Sequence, residues 1–239
     1  MSFVLIGGKD NIERLNIIEK HIVKMTKKEK PVFLFCPYAV TNIEKSINKF
    51  HELMKGIDCQ IIDLDFNNKN DFENLLKASD CLYIAGGSCD DLVTFFKENG
   101  LDKIIDKYID SNIVFAGQSA GAMLWCKAAM GDKYMFSDNF HNYNYKMVNC
   151  LGYLDINICP HYQNEDLIIY NDEIKKYDYD AFGIEEDTAL IIDGNSFYVI
   201  KDKSFRSVYY FAKNDRIMRP LYEGEIYEKI GGFRSKGNL

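Results

Sequence analysis

The sequence predicts an α/β fold in which a mainly parallel β-sheet is flanked by helices, giving three layers. Short apolar runs alternate with longer amphipathic stretches through the first half of the chain, as in successive βαβ units. Most of these runs end at glycine or proline, which mark turns. The predicted strands are residues 3–6, 32–35, 59–62, 81–85 and 113–116, and the helices between them include 12–26, 42–55 and 90–98.

The second half of the chain differs in pattern. Residues 130–150 are polar and aromatic, which indicates a long loop or a small excursion. The last two apolar runs are joined by Asp193-Gly194-Asn195-Ser196, a tight-turn sequence that predicts antiparallel strands at the edge of the sheet. No linker or repeat divides the chain, so we expect a single α/β domain over residues 1–239. The four apolar runs of this half are 156–159, 181–184, 189–192 and 197–200.

Composition argues against several classes of protein. The net charge is −7, with 36 acidic and 29 basic residues, and nucleic-acid binding needs clustered positive charge. No apolar stretch approaches the roughly 18 residues that span a bilayer. Seven scattered cysteines with no CxxC pair are typical of reduced thiols in a cytosolic protein. We therefore expect a soluble cytoplasmic protein without metal or cofactor, whose edge strands are compatible with a homodimer.

The candidate nucleophile is Ser119, in the sequence Gly117-Gln118-Ser119-Ala120-Gly121. The pattern Gly-x-Ser-x-Gly is weak evidence alone, but here it follows an apolar strand and precedes a helix-like run at 120–125. That is the context of a nucleophile elbow, and the N-terminus of the following helix would favour negative charge near the serine. The alternative is a tight turn in which Ser119 only caps a helix.

An acyl-transfer enzyme also needs hydrogen-bond donors for the tetrahedral oxyanion. The Ala120 amide, next to the nucleophile, is one candidate. Gly86-Gly87 ends the preceding strand, and in a parallel sheet the two strand ends can lie side by side. The alternative is that this segment only turns the chain and caps the next helix.

The chain has four histidines as candidate bases. We prefer His161 because it directly follows a predicted strand and a proline, at a strand end where catalytic groups gather. His141 lies in the polar, aromatic segment and is the second choice. His21 and His51 lie in amphipathic helical stretches that belong to the outer layer.

A carboxylate that orients the base is the third requirement. Glu185 and Glu186 follow a predicted strand downstream of His161, and they fit better than aspartates upstream of it. Neighbouring residues on an extended segment point to opposite sides, so one of the two glutamates would face the histidine. The resulting order of serine, histidine and glutamate differs from that of the α/β-hydrolases. The upstream candidates are Asp132, Asp138 and Asp155.

Four segments together resemble the successive motifs of the peptidase E and cyanophycinase family of serine peptidases. They are Gly86-Gly87, residues 117–122, Pro160-His161-Tyr162 and residues 183–189. The resemblance covers about residues 80–195 of this chain. It implies a flavodoxin-like fold similar to that of class I glutamine amidotransferases, with serine in place of the nucleophilic cysteine.

The resemblance also implies roles for individual residues. Ser119 would be the nucleophile, His161 the base and Glu186 the acid of the triad, with Glu185 as the alternative acid. The amides of Gly87 and Ala120 would form the oxyanion hole. The flanking positions that we expect to contact the substrate are Gly86, Ser88, Gln118 and Tyr162.

The implied activity is that of a peptidase E-like exopeptidase or dipeptidase acting on small peptides. Peptidase E and its near relatives carry arginines downstream of the histidine that are associated with acidic substrates, whereas residues 163–173 contain none here. A carboxylate side chain would lack its bidentate partner, and this acidic stretch could instead hold an amino terminus or a basic side chain.

Three alternatives remain open. An amidase or esterase would use the same triad. A catalytically inactive α/β module would bind a ligand in the same crevice. Cys89 is a less favoured nucleophile because it lies in no recognisable elbow.

Overall fold

The computed structural model describes residues 1–9, 16–65, 71–132, 145–163, 166–213, 218–228 and 234–238. Strands and helices alternate through the first half of the chain, and strands dominate the second half. The first half consists of β1 Ser2–Ile6, α1 Ile17–Thr26, β2 Val32–Cys36, α2 Ile43–Leu53, β3 Gln60–Asp63, α3 Phe72–Ala78, β4 Cys81–Ile84, α4 Cys89–Glu98, α5 Leu101–Asp106, β5 Val114–Gln118 and α6 Ala120–Met123. The second half consists of β6 Cys126–Asp132, β7 Tyr145–Asn149, β8 Leu154–Pro160, α7 Asp166–Ile174, β9 Asp180–Ile184, β10 Thr188–Asp193, β11 Ser196–Lys201, β12 Val208–Phe211, β13 Met218–Leu221, β14 Glu225–Glu228 and β15 Arg234–Asn238.

A nine-stranded sheet forms the centre of the fold, in the order β15-β14-β11-β10-β1-β5-β4-β2-β3. The five strands of the first half are parallel to one another. β10 joins β1 antiparallel, and β11 pairs antiparallel with β10 across the turn at 193–196. Gly194 adopts φ 59° in that turn. The predicted α/β class, with a mainly parallel sheet and antiparallel strands at one edge, is confirmed.

The alternation of side chains along β1 shows how the sheet is covered on both faces. Val4 and Ile6 point to one face, where they pack with Ile18 of α1 and Phe50 of α2. Phe3 and its alternate neighbours point to the other face, where α3, α4, α5 and a second sheet cover them. Since both faces are buried, the strands are continuously apolar, as parallel strands usually are.

The second sheet has six strands in the order β13-β12-β9-β8-β6-β7. Its centre is parallel, since β8 pairs parallel with both β6 and β9. Residues 130–150 were expected to form a long loop or a small excursion. The long loop was wrong at its ends, because β6 and β7 pair antiparallel there; residues 133–144 lie outside the described part. The polar composition concealed β7, an edge strand. Within the described ranges, no helix is long and apolar enough to cross a membrane.

Candidate active site

Ser119 occupies a sharp turn directly after β5. Its backbone has φ 54° and ψ −119°, a conformation that costs energy for any residue other than glycine. The Ser119 N–H donates to the Ile6 carbonyl at 2.9 Å and so fixes the turn to β1. A Cβ at Gly117 would overlap the Gly121 carbonyl, and one at Gly121 would overlap the Ile84 carbonyl. The two glycines of the motif are therefore required by close backbone approach.

The helix expected after the nucleophile is a single turn, α6. The helix-like run expected over residues 120–125 is therefore shorter in the structure, where residues 124–125 continue as a turn, and a single helical turn aligns few peptide dipoles at the serine. The carbonyl of Ser119 accepts hydrogen bonds from the Ala122 and Met123 amides at 2.9 and 3.0 Å. The Ala120 amide donates to no acceptor in the described part of the chain. It therefore lies beside the nucleophile with its hydrogen-bonding capacity unused.

Gly86 and Gly87 lie next to this turn because β4 and β5 are parallel neighbours, with Ile84 opposite Gly117. A Cβ at Gly86 would lie 3.2 Å from the Ser119 Cβ. Gly87 has φ 125°, and a Cβ there would overlap the carbonyl of Ala39. Among described residues the Gly87 amide also donates to no acceptor. Two unused amides thus flank the nucleophile.

The segment after Gly87 also caps a helix. The Ser88 hydroxyl accepts a hydrogen bond from the Asp91 N–H at 3.3 Å, at the start of α4. The capping interpretation and the site interpretation of this segment are therefore compatible.

His161 follows β8 and turns back over the end of β1. Its backbone has φ 55°, and its N–H donates to the Gly7 carbonyl at 3.1 Å. The ring Nε2 lies 2.9 Å from the Ser119 Oγ. The imidazole is partly exposed, whereas Ser119 retains only 9% of its accessible surface.

Glu186 lies on the other side of the imidazole, with its Oε1 3.0 Å from the His161 Nδ1. The parallel pairing of β8 with β9 places Pro160 opposite Ile184, so the residues after these two strands emerge together. The hydroxyl, imidazole and carboxylate therefore form one hydrogen-bonded series.

Glu185 points away from the histidine. Its carboxylate accepts a hydrogen bond from the Ser207 N–H, and burial raises the pKa of Glu185 above its ordinary value. The geometry therefore favours Glu186 over Glu185 as the partner of His161.

Sequence reasoning missed the contribution of Gly7 and Gly8 at the end of β1. A Cβ at Gly8 would lie 2.6 Å from the His161 Nδ1 and 3.1 Å from the Glu186 Cγ. The Gly8 carbonyl accepts the Asp187 N–H at 2.9 Å. β1 pairs directly with β5, so the end of β1 packs against the imidazole. The signal was present, because this glycine pair ends a strand just as Gly86-Gly87 does.

A buried carboxylate supports the turn that carries Glu186. Asp187 is fully buried with φ 56°, and its Oδ2 lies 2.9 Å from the Lys203 Nζ. Its carbonyl accepts the Asp202 N–H at 2.8 Å. The Asp202 carboxylate in turn accepts the Ile17 N–H at 2.7 Å, at the start of α1. Lys203 and Asp202 follow a different strand, β11, so sequence spacing did not associate them with the site.

The expected substrate-contacting residues are not all at the surface of the site. Gly86 lies beside Ser119, Ser88 caps α4, and Gln118 ends β5 partly buried. Tyr162 is fully buried, its hydroxyl donates to Asn171 at 2.8 Å, and its ring fills the space over Gly183. The expectation that Tyr162 contacts the substrate was therefore wrong, because the side chain packs in the interior.

The other histidines that the structure describes lie elsewhere. The His21 ring nitrogen is 2.9 Å from the Tyr198 hydroxyl, between α1 and β11. The His51 ring pairs with Asp63 at 2.9 Å. His141 lies outside the described residues.

The upstream aspartates and Cys89 also lack the geometry of a site. Asp155 is exposed and pairs with Lys127 at 2.7 Å. Cys89 is buried with its sulfur 3.8 Å from that of Cys150, and this contact together with burial raises the pKa of the Cys89 thiol, whereas a nucleophilic cysteine needs a lowered pKa. Asp138 lies outside the described residues, and the side chain of Asp132 does as well.

The series from Ser119 through His161 to Glu186 has the geometry that activates a hydroxyl for attack on a carbonyl. The imidazole can take the serine proton through Nε2 while Nδ1–H donates to the carboxylate. The free amides of Gly87 and Ala120 are the donors available to an oxyanion.

The sequence model of peptidase family S51 matches residues 3–200. The uncharacterized peptidase YgaJ of Bacillus subtilis (strain 168) is 28% identical over 162 residues, which are 66% of this chain and 67% of that protein.

Solved structures share the fold. The crystal structure of a peptidase from an acI-B1 Actinobacterium superposes with a TM-score of 0.70 and 21% identity, covering 95% of this chain and 96% of that one. A protein assigned to peptidase E from Listeria monocytogenes EGD-e superposes with a TM-score of 0.61 and 19% identity, covering 84% of this chain and 98% of that one.

Proposed function

The chain belongs to peptidase family S51 and is a serine-type peptidase, and from this premise we propose that Ser119, His161 and Glu186 form its catalytic triad on small peptides. Ser119 Oγ attacks the scissile carbonyl while His161 Nε2 takes its proton. Glu186 holds the ring through Nδ1 and stabilises the imidazolium. His161 then gives the proton to the leaving amine. In the second half of the reaction a water molecule attacks the acyl-enzyme, His161 takes a proton from that water, and the proton returns to Ser119 Oγ as the acid product leaves.

The amides of Gly87 and Ala120 stabilise the oxyanion in this proposal. In comparable enzymes, removal of one oxyanion-hole donor lowers kcat by about 100- to 1000-fold. Two observations support this role. Gly86 lies so close to Ser119 that a Cβ on Gly86 would be 3.2 Å from the Ser119 Cβ, and among described residues neither the Gly87 nor the Ala120 amide has an acceptor.

One observation carries the proposal: Ser119 is held at φ 54° with its Oγ 2.9 Å from His161 Nε2. A serine that only capped a helix or lined a ligand crevice would not need this strained backbone. Strain of this kind persists where the surrounding structure enforces it and is common at catalytic sites. The catalytically inactive module is therefore the less favoured alternative.

Short peptides are the substrates that fit a recessed nucleophile. Ser119 is 9% exposed and is more buried than the partly exposed histidine, so a folded protein chain would not reach it readily. The motifs that resemble peptidase E favour removal of residues from a peptide end. The absence of arginine from residues 163–173 argues against an acidic side chain at the cleaved position.

Labelling with a fluorophosphonate probe, followed by intact mass, tests the nucleophile. We expect one adduct on the wild type and none on Ser119→Ala, because the probe reacts only with an activated serine. Ser111→Ala removes an exposed serine and is the matched control, which should label like the wild type. Absence of labelling on the folded wild type would overturn the proposed triad.

Peptide assays test the substrate class separately. One tetrapeptide is supplied with free ends, with an acetylated amino end, and as the corresponding ester or simple amide. Cleavage of the free peptide and loss of cleavage on acetylation are expected for an exopeptidase that needs a free amino end. Equal cleavage of the blocked peptide would contradict an exopeptidase that acts at the amino end, and turnover of the ester or amide alone would favour an esterase or amidase.

A further inference from the structure

A buried ion pair begins one residue after the glycine that packs against His161. Lys9 follows Gly8 in the chain, and its Nζ pairs with the Glu19 carboxylate in the first turn of α1. The Lys9 side chain is 3% exposed and that of Glu19 is 0% exposed. The pair therefore joins the segment after β1 to α1 in the interior of the protein.

Stability alone does not account for two charges at this place. The free-energy cost of removing two charges from water often exceeds the gain from their attraction, and an apolar pair of similar volume is frequently as stable or more stable. What the ion pair adds is direction, because an ammonium donates to a carboxylate only within a narrow range of geometry. The pair of Lys9 and Glu19 is thus suited to fix the backbone against which the imidazole packs.

Gly8 carries this constraint to two members of the proposed triad. A Cβ on Gly8 would lie 2.6 Å from the His161 Nδ1 and 3.1 Å from the Glu186 Cγ, so a small movement of this backbone changes the space left for both side chains. The Gly8 carbonyl also accepts the Asp187 N–H at 2.9 Å. Fixing Lys9 therefore fixes the surface against which the histidine and its glutamate pack.

A second connection joins α1 to the turn that carries Glu186. Asn16 precedes the helix, and its side chain makes no capping hydrogen bond. The Asp202 carboxylate instead accepts the first two N–H groups of the helix at 2.7 and 3.3 Å, and the Asp202 N–H donates to the Asp187 carbonyl at 2.8 Å. The start of α1 is therefore held both to the segment after β1 and to the turn after β9.

We propose that Lys9 and Glu19 are positioning residues for the base of the triad. Their ion pair fixes Gly8, and Gly8 sets how far the His161 imidazole lies from Ser119. The inference rests on the proposed function, since it takes His161 as the base. Loss of the pair should lower kcat by about tenfold at unchanged KM, because an error of about 1 Å in catalytic geometry costs as much as 100-fold while the groups that bind substrate stay in place.

The test replaces the whole pair, since Lys9→Met alone would leave a buried carboxylate without its ammonium and destabilise the fold. The double variant Lys9→Met/Glu19→Leu removes both charges at similar volume, so its Tm should stay close to that of the wild type. A second double variant, Lys9→Met/Glu19→Gln, keeps the shape of the glutamate and serves if the first does not fold. Lys107→Met/Glu73→Leu makes the same substitutions in an exposed ion pair at 3.0 Å and is the matched control.

Two measurements separate positioning from folding. Peptide kinetics give kcat and KM, and ¹H NMR follows the His161 Nδ1–H proton bonded to Glu186, whose resonance is assigned by its loss in Glu186→Gln. We expect both double variants of the buried pair, and not the control, to lose about tenfold in kcat at unchanged KM and to shift or broaden this resonance.

The outcomes distinguish this inference from the proposed function. Unchanged kcat and an unchanged resonance in a folded double variant would overturn the positioning role and leave the triad in place. The resonance needs no turnover, so an inactive wild type whose resonance still responds to loss of the pair would overturn the proposed function alone.

Discussion

The backbone of Gly8 lies directly against the imidazole of His161. A Cβ at this position would lie 2.6 Å from Nδ1, well inside van der Waals contact. The imidazole therefore packs against the end of β1. Because β1 pairs with β5, the strand that carries the nucleophile, β1 also positions the His161 ring. The first prediction follows from this contact.

Gly8→Ala should displace the imidazole and lower kcat by about 100-fold, because an error of about 1 Å in catalytic geometry has that effect. Folding should survive, with a loss of roughly 1–3 kcal/mol in the free energy of unfolding from overpacking. Steady-state kinetics and urea denaturation measure the two effects. Gly131→Ala is the control, since a Cβ there meets neighbours at 3.4 Å; equal kinetics for both variants would contradict the prediction.

The two adjacent glutamates should behave differently on conversion to glutamine. Glu186→Gln replaces the acceptor at 3.0 Å from His161 Nδ1 and should lower kcat by about 1000-fold or more, because the ring no longer keeps the required tautomer. Glu185→Gln keeps an oxygen for the Ser207 N–H and should change kcat by less than about fivefold. Peptide turnover measures both. The reverse ranking would assign the acid role to Glu185.

Lys203→Met should weaken the turn that carries Glu186. It removes the ammonium 2.9 Å from the fully buried Asp187 carboxylate, which should cost roughly 1–3 kcal/mol in the free energy of unfolding. Because the turn then holds Glu186 less firmly, kcat should fall by about tenfold at unchanged KM. Lys203→Arg keeps the charge and should restore both values in part. A loss of stability with full kcat would show that the pair has no influence on the site.

The stability of the protein should depend on pH through Glu185. Burial raises its pKa above the ordinary 4.5, so just above pH 4.5 the folded chain keeps a proton that the unfolded chain has released. The contribution of Glu185 to the free energy of unfolding therefore falls as pH rises through this window. Relative to Glu185→Gln, the wild type should lose stability as the pH rises above 4.5 and through the raised pKa of Glu185 in the folded protein.

Urea denaturation can follow this difference by fluorescence, since Trp125 is the chain's one tryptophan and is fully buried. The comparison of the two proteins at each pH cancels the titration of all other groups. A difference that grows in favour of the wild type as pH rises would contradict the assigned direction.

Much of the large sheet could be predicted from the sequence because its signals are local. Apolar runs such as residues 32–35 and 81–85 are buried on both faces, so composition alone marks them as strands. β6, β7 and the strands from β12 onward were missed. β7 and the strands from β12 onward are short and partly polar, and β6 directly follows the helix-like run after the nucleophile. Their positions depend on pairing partners that are distant in the sequence.

Candidate site residues could be selected because strand ends are visible in the sequence. Ser119 and Gly87 end neighbouring strands, and His161 is the described histidine at such an end. The choice between Glu185 and Glu186 could not be made, since it depends on the direction of two side chains after β9. The burial of Tyr162 against Gly183 also could not be predicted from the sequence, because it depends on packing between separate segments.

The sequence by itself thus determined the fold class, the family and the small set of residues from which a site could be built, because periodicity and motifs are properties of adjacent residues. Only the tertiary structure decided which glutamate meets His161, that Gly8 supports the ring and that Lys203 reaches Asp187. These relations join residues that are distant in the chain, and they exist only after β1, β5, β8 and β9 bring their ends together.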